Sequence, residues 1–415
     1  MRNTGTIWII AGIMFLLDLY VFQAIKSVSQ SLNERTRLLV FGTYWVISGL
    51  TIVLLLSFPY IQSLQSSKFF RNYIFAILVG LFIAKLIGVV FFLIDDIRRI
   101  IMFIVSKIAP SGGAHFADGG DSISRSVFLS WLGLGAGATL FGSLLYGFGN
   151  KYNYQLKKIP LQFNNLPTAF KGFKIIHISD IHSGSLQDKK AVQKGIDLIN
   201  KQEPDLILFT GDLVNDRHDE MLEFIDVFNQ LTSKHGVYSV LGNHDYGDYV
   251  AWPSVQAKAE NLEKLKQVHA KLGWKLLMNE HVAIEKNNAA FALLGIENWG
   301  AKGRFPKYGK MKEAYSGTEK YTFKILMSHD PSHWDAEVRT TYKDIDLMLA
   351  GHTHGMQFGI ENPYFKWSPV QWMYKQWAGL YEQSNQKLYV NRGFGFIGYP
   401  GRVGILPEIT LLELV

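Results

Sequence analysis

The chain has 415 residues, 42 Lys and Arg against 35 Asp and Glu, a formal charge of +7 and a pI of about 9.1. It has no cysteine, which excludes disulfides, thiolate metal sites and cysteine nucleophiles. Its basic residues form no compact cluster with interleaved aromatics, so no nucleic-acid partner is expected; a membrane protein resting on anionic lipid fits the charge better.

The length implies two units, and the composition divides the same way. Residues 1–150 are mostly aliphatic and aromatic and read as a transmembrane region with spans at about 6–24, 39–61, 73–94 and 127–148. Each is close to the ~20 residues that cross a bilayer core as a helix. The first is too long, and lacks the small-residue cleavage pattern, for a removed signal peptide. Asp18 and Lys85 are the only charges in the first and third spans. A charge at that depth is costly unless paired, so the two are candidates to pair with each other. Asp95–Pro110 has helical spacing and reads as a continuation of the third span or as an interfacial helix. Ser111–Ser124 is a loop by its Gly and Ser content, with His115 as a solvated loop residue. Residues 151–172 read as a linker.

From Phe173 the pattern alternates between short apolar strands and helices. Strands are expected at Ile175–Asp180, Asp205–Thr210, Val237–Leu241, Ala290–Leu294, Phe323–Met327, Ile345–Ala350, Leu388–Val390 and Ile409–Leu412. Helices are expected at Lys189–Lys201, Glu220–Thr232 and Val255–Leu272. This is a layered α/β unit with sheets covered on both faces. In such units polar sites lie beyond the carboxyl ends of strands.

Every strong polar motif falls at such an end: Asp180-Ile181-His182, Gly211-Asp212, Gly242-Asn243-His244-Asp245, Ser328-His329-Asp330 and Gly351-His352-Thr353-His354. Asp180 and His182, two apart on extended backbone, are expected to project to one side. Carboxylate, amide and imidazole from five strand ends suffice for two metals with open positions.

These motifs, in this order, resemble the calcineurin-like metallophosphoesterases from Phe173 to the C-terminus. The tail, Asn391–Gly395 and Pro407–Leu411, is similar to a bacterial membrane-associated branch that includes enzymes cleaving UDP-diacylglucosamine. The resemblance implies a sandwich of two mixed β-sheets flanked by helices over 173–415. It implies one divalent ion held by Asp180, His182, Asp212 and His354, and a second by Asp212, Asn243, His329 and His352, with Asp212 bridging. It gives His244 the catalytic role, with Asp245 orienting it, and offers Arg392 as a phosphate contact. Asn215 and Met356 depart from the family pattern at positions that are not ligands. Manganese, iron or zinc suits these ligands.

The implied activity is metal-dependent hydrolysis of a phosphate ester or pyrophosphate. A membrane anchor favours a lipid-linked substrate, with sugar-nucleotide lipids and phospholipids leading. A water-soluble or cell-wall-linked phosphodiester is the alternative, and a non-catalytic tethered binding module is the alternative of another class. The aromatic stretch Phe358–Tyr381 reads either as core packing or as an interface-resting surface, and Trp299–Tyr315, with Lys302, Arg304, Lys307 and Lys310, as an opposite wall of the site. Lys and Arg fall mainly in the first and third loops, which by the positive-inside rule puts the catalytic unit outside the cytoplasm of a bacterial inner membrane; Lys151, Lys157 and Lys158 nearly cancel that bias, and the resemblance to enzymes cleaving UDP-diacylglucosamine favours the cytoplasmic face. The oligomeric state is open.

Overall fold

A computed structural model describes residues 4–67, 69–108, 125–303 and 305–415. Arg2, Lys68, residues 109–124 with His115, and Arg304 lie outside the described residues. The chain forms two compact units, Met1–Tyr146 and Gly147–Val415.

The first unit is built from α1 (Thr4–Val28), α2 (Glu34–Ser57), α3 (Phe75–Ile108) and α4 (Arg125–Gly147). All four are long and apolar enough to cross a membrane. The stretch after the third span continues α3 to Ile108, one of the two expected outcomes. Side chains such as Leu16, Leu39 and Phe103 point outward, as lipid-facing residues must. Small residues set the packing of α3 on α4: a Cβ built at Gly137 would lie 2.6 Å from the Ala84 carbonyl oxygen, and one at Gly133 2.9 Å from that of Gly88. Asp18 and Lys85 do pair, and Ser48 Oγ accepts from Lys85 Nζ at 3.1 Å while Tyr44 OH donates to Asp18 Oδ1 at 3.1 Å.

The second unit contains β1 (Gln155–Leu161), β2 (Phe173–Ile178), α5 (Lys189–Asn200), β3 (Leu206–Phe209), β4 (Val237–Ser239), α6 (Val255–Lys271), β5 (Trp274–Leu276), β6 (Glu280–Lys286), β7 (Ala289–Gly295), β8 (Lys324–Met327), β9 (Leu347–Ala350), the small hairpin of β10 (Ile360–Glu361) and β11 (Lys366–Trp367), β12 (Gly379–Gln383), β13 (Gln386–Val390) and β14 (Glu408–Leu414). One six-stranded sheet runs β1-β14-β2-β3-β4-β5, the other β12-β13-β9-β8-β7-β6. Both are mixed: β2 to β5 are parallel with β14 antiparallel to β2, and β7, β8, β9 and β13 are parallel between antiparallel edges β6 and β12. The residues 151–172 are therefore not merely a linker. Seven of them form β1, which pairs in parallel with β14 and covers that side of the strand.

Ile175, Leu208, Phe291, Ile325, Leu349 and Leu412 fill the space between the sheets. Ile176 and Ile178 point the other way, onto Val192 and Ile196 of α5 and Leu265 of α6. Trp334 and Val338 cover Leu326 and Met348 on the far face of the second sheet. Strands buried on both faces read as unbroken apolar runs, as these do. Register aligns their ends: Ile178 sits beside Phe209 and Phe209 beside Ser239 in one sheet, Met327 beside Leu349 in the other. Helix Glu220–Thr232 differs from expectation. It is a 3-10 segment, His218–Phe224, followed by one α-turn, Ile225–Phe228.

Candidate metal centre

The loops that leave these aligned ends carry the motifs. β2 ends at Ile178, so Asp180 and His182 do not converge by strand alternation as expected. Both are left-handed, with φ of 53° and 48°, and Asp212, His352 and His354 are too, at 61°, 71° and 50°. Left-handed backbone is uncommon outside glycine and strained when it occurs. Here it turns ligand after ligand inward. Gly351 permits the crowding, since a Cβ there would lie 2.2 Å from Asp180 Oδ2.

Donor atoms of Asp180, His182 and His354 lie within 4.8 Å of one another, as do those of Asp212, His329 and His352. Asp212 Oδ2 faces both groups, 3.5 Å from His182 Nε2 and 3.2 Å from His329 Nε2. Asn243 Oδ1 joins the second, 3.1 Å from His329 Nε2 and 2.8 Å from His352 Nδ1. The seven expected ligand residues are thus all brought together.

Neighbours fix which atom each presents. Tyr249 OH accepts from Asn243 Nδ2 at 2.7 Å, so the amide oxygen turns to the histidines. The Thr210 carbonyl takes His329 Nδ1–H at 2.7 Å, leaving Nε2 for the site. Tyr374 OH lies 2.8 Å from His352 Nε2 and 3.3 Å from Asp330 Oδ2, leaving Nδ1 for the site. Tyr249, Tyr374 and Asp330 were not foreseen as participants. Asp330 stood in a motif without a role, and the two tyrosines carry no local signal.

Burial and mutual charge dominate the protonation. Burial lowers the pKa of His182 to about 3 and those of His352 and His354 below the usual range. Burial lowers His329 too, but the Asp212 carboxylate outweighs it and brings the imidazole to about 10. Burial raises Asp180 to about 6. His244 lies at the mouth of this cluster. Its backbone N–H donates to Asp212 Oδ1 at 2.9 Å and its Nδ1 is 2.8 Å from the Asn215 carbonyl, so Nε2 is the free atom. A cleft of about 160 Å³ opens over it, lined by His182, Asp212, Asn243, His244, Tyr249, Phe305, His352, His354 and Ile397.

Two assignments are corrected. Asp245 does not orient the His244 ring. Its carboxylate accepts from the backbone N–H groups of Asp212, Leu213, Val214 and Gly242 at 2.8–3.3 Å, and so clamps the two ligand loops together. Arg392 does not reach the cleft. It is buried, with Nε and Nη2 on Glu361 at 2.8 and 2.5 Å and Nη1 on Glu408, so its planar donors are already used. The arginine beside the ligands is Arg402, whose Nη2 is 3.4 Å from His354 Nδ1 and whose Nη1 donates to the Arg392 carbonyl at 2.7 Å. Of Trp299–Tyr315, Phe305 lines the cleft. Lys302 instead donates to the Met373 carbonyl, Lys307 lies over the Trp299 ring and Lys310 pairs with Glu313.

Residues 173–356 match the family model described as calcineurin-like phosphoesterase, and residues 1–150 match the one described as its probable transmembrane domain. The chain belongs to the calcineurin-like phosphoesterases. It is a metal-dependent phosphoric ester hydrolase joined to a membrane region. It is 29% identical over 307 residues to the metallophosphoesterase YkuE of Bacillus subtilis, covering 70% of this chain and 98% of that one. It is 28% identical over 266 residues to a transmembrane protein with metallophosphoesterase domain from Danio rerio, covering 62% of this chain and 56% of the relative. It is 29% identical over 247 residues to phosphodiesterase YaeI of Escherichia coli, covering 59% and 82%.

The donor set of this calcineurin-like phosphoesterase fits divalent cations. His182 Nε2 and His354 Nε2 face each other at 3.0 Å, and Asn243 Oδ1, Asp212 Oδ2 and His329 Nε2 converge likewise. A divalent cation between them would be held by the lone pairs of these oxygen and imidazole atoms. Mixed oxygen and nitrogen donors suit first-row transition ions.

Proposed function

We propose that this phosphoesterase holds two divalent ions and hydrolyses a phosphate ester or pyrophosphate carried by a lipid-linked amphiphile. One ion would be held by Asp180, His182, Asp212 and His354, the other by Asp212, Asn243, His329 and His352. The observation that carries the binuclear reading is Asp212 Oδ2, which faces both donor groups. Bound ions supply charge neutralisation of the phosphate oxygens and an acidified water. Manganese, iron and zinc are the candidates.

The chain's own groups do the rest. Asn243 contributes a neutral oxygen, so the ligand set carries less negative charge to repel phosphate. His244, held through Nδ1 by the Asn215 carbonyl, presents Nε2 to the cleft and protonates the leaving oxygen there. Phe305 and Ile397 flank the cleft with apolar surface. The four-helix unit keeps the enzyme at a bilayer, and exposed aromatics at Tyr364, Phe365 and Trp372 supply an apolar surface within the same unit as the site. Both support an amphiphilic substrate. The excess of Lys and Arg in the first and third loops supports a catalytic unit outside the cytoplasm, in a bacterial inner membrane. A reporter fused after Val415 that works only in the cytoplasm reverses that side.

The alternative is a soluble or cell-wall-linked phosphodiester, favoured by the name of the YaeI relative. A panel of lipid and soluble phosphates assayed in mixed micelles separates the two. Faster turnover of lipid phosphates is expected; equal turnover of soluble ones favours the alternative.

A further inference from the structure

The Phe358–Tyr381 stretch divides in the structure. Tyr374 and Trp377 are buried, whereas Tyr364 is 98% exposed, Trp372 75%, Met373 63% and Phe365 53%. More than half of the large apolar side chains exposed among the described residues of this unit fall between Met356 and Met373. The exposure is built into rigid turns. β10 and β11 pair as a hairpin, and Asn362 Oδ1 accepts from the backbone N–H of both Tyr364 and Phe365 at 2.9 Å, fixing its tip. Ser368 caps the turn Pro369–Trp372, which holds Trp372 against the edge of Trp367, ring centroids 6.1 Å apart. Rigid aromatics held out in water bring a hydration cost without a folding gain, unless something covers them.

We propose that this element, Met356–Met373, inserts into the lipid–water interface of the bilayer that the same chain spans. Two observations select a bilayer over a protein. Trp, Tyr and Lys together are the composition of a membrane interface; Met356–Met373 carries Lys366, with Lys375 just beyond it, and its one acid, Glu361, is paired with the buried Arg392, which leaves a basic face for anionic headgroups. The chain supplies the bilayer, because α4 ends at Gly147, where this unit begins.

The element is also tied to the catalytic centre. Tyr374 follows Met373 directly and holds His352, and the Met373 carbonyl takes Lys302 Nζ from the loop that places Phe305 in the cleft wall. Insertion therefore brings lipid to the mouth of the cleft. This rests on the membrane-anchored reading above.

The chain's lack of cysteine makes the test clean. Single substitutions Tyr364→Cys, Trp372→Cys and, as control, Val255→Cys, 89% exposed at the start of α6, are labelled with an environment-sensitive fluorophore. The full-length protein is placed in vesicles of phosphatidylethanolamine and phosphatidylglycerol. Doxyl-labelled lipid is expected to quench the labels at 364 and 372 several-fold more than the label at 255, and aqueous iodide the reverse. Iodide quenching at all three positions overturns the proposal. So does shielding of 364 and 372 from both quenchers, which assigns the surface to a second copy or another protein. Met373→Cys gives an independent reading if Trp372→Cys does not fold. The measurement involves no turnover, so failure here with lipid hydrolysis intact overturns insertion alone, and insertion without lipid hydrolysis overturns the substrate reading alone.

Discussion

His244 and Tyr374 carry the chemistry that can be tested one side chain at a time. With Nδ1 fixed on the Asn215 carbonyl, only Nε2 of His244 meets the cleft. His244→Ala is expected to lower kcat by roughly 10²–10⁴-fold, the usual yield of general acid catalysis, with metal content unchanged. Metal analysis beside steady-state kinetics checks both halves; equal loss of metal would make His244 a ligand instead. Tyr374→Phe removes the partner of His352 Nε2. Outer-shell losses of this kind weaken metal affinity by about 10–100-fold, so competition against a chelator should show that drop while the fold is retained. The seven candidate ligands that the structure brings together could be named because motifs of Asp, Asn and His after apolar strands resemble the family pattern. Tyr374 could not be, because its phenol lies in an aromatic run that reads equally as core. The roles of Asp245 and Arg392 were misread for a related reason. A motif names a residue but not its partners, and here four backbone N–H groups and two glutamates had the prior claim.

At the scale of elements, the site depends on two sheets held in register. Leu349 is fully buried between them and lies one residue before the end of β9, ahead of the His352 loop. Leu349→Ala should destabilise the catalytic unit by about 2–5 kcal/mol, the range for large-to-small core changes. Denaturant unfolding followed by tryptophan fluorescence checks this; a cost within about 0.5 kcal/mol, typical of surface positions, would contradict the sandwich core. The doubly buried strands were readable as apolar runs. β1 and β6 were not. β1 reads QLKKIPL and β6 EHVAIEK, edge strands with polar and charged residues that resemble linker. The convergence of the ligands was foreseen, but its geometry was not, since strand alternation gave way to left-handed turns that residue type alone does not announce.

At the scale of the molecule, buried neutral histidines outside the ligand set give the catalytic unit an acid limit. Burial lowers His177 and His269 to about 3, against an ordinary value near 6.5. Each stays neutral when folded and takes a proton when unfolded. Their contribution is therefore fully present above about pH 6.5 and is lost as pH falls toward 3, by at most about 1.4 kcal/mol per pH unit for each group. Unfolding midpoints of His269→Gln and the parent, compared from pH 7 to pH 4, should converge at low pH; parallel curves would contradict a neutral buried His269.

The central claim is that Asp212 serves two ions in one hydrolytic centre. It is tested most directly by measuring metal content and hydrolysis of an aryl phosphodiester on the same preparations of the full-length protein, parent and Asp212→Ala. The account predicts two divalent ions per parent chain, with metal reduced and turnover abolished by the substitution. A metal-free parent that hydrolyses the substrate at full rate, or Asp212→Ala that retains both ions and activity, would contradict it.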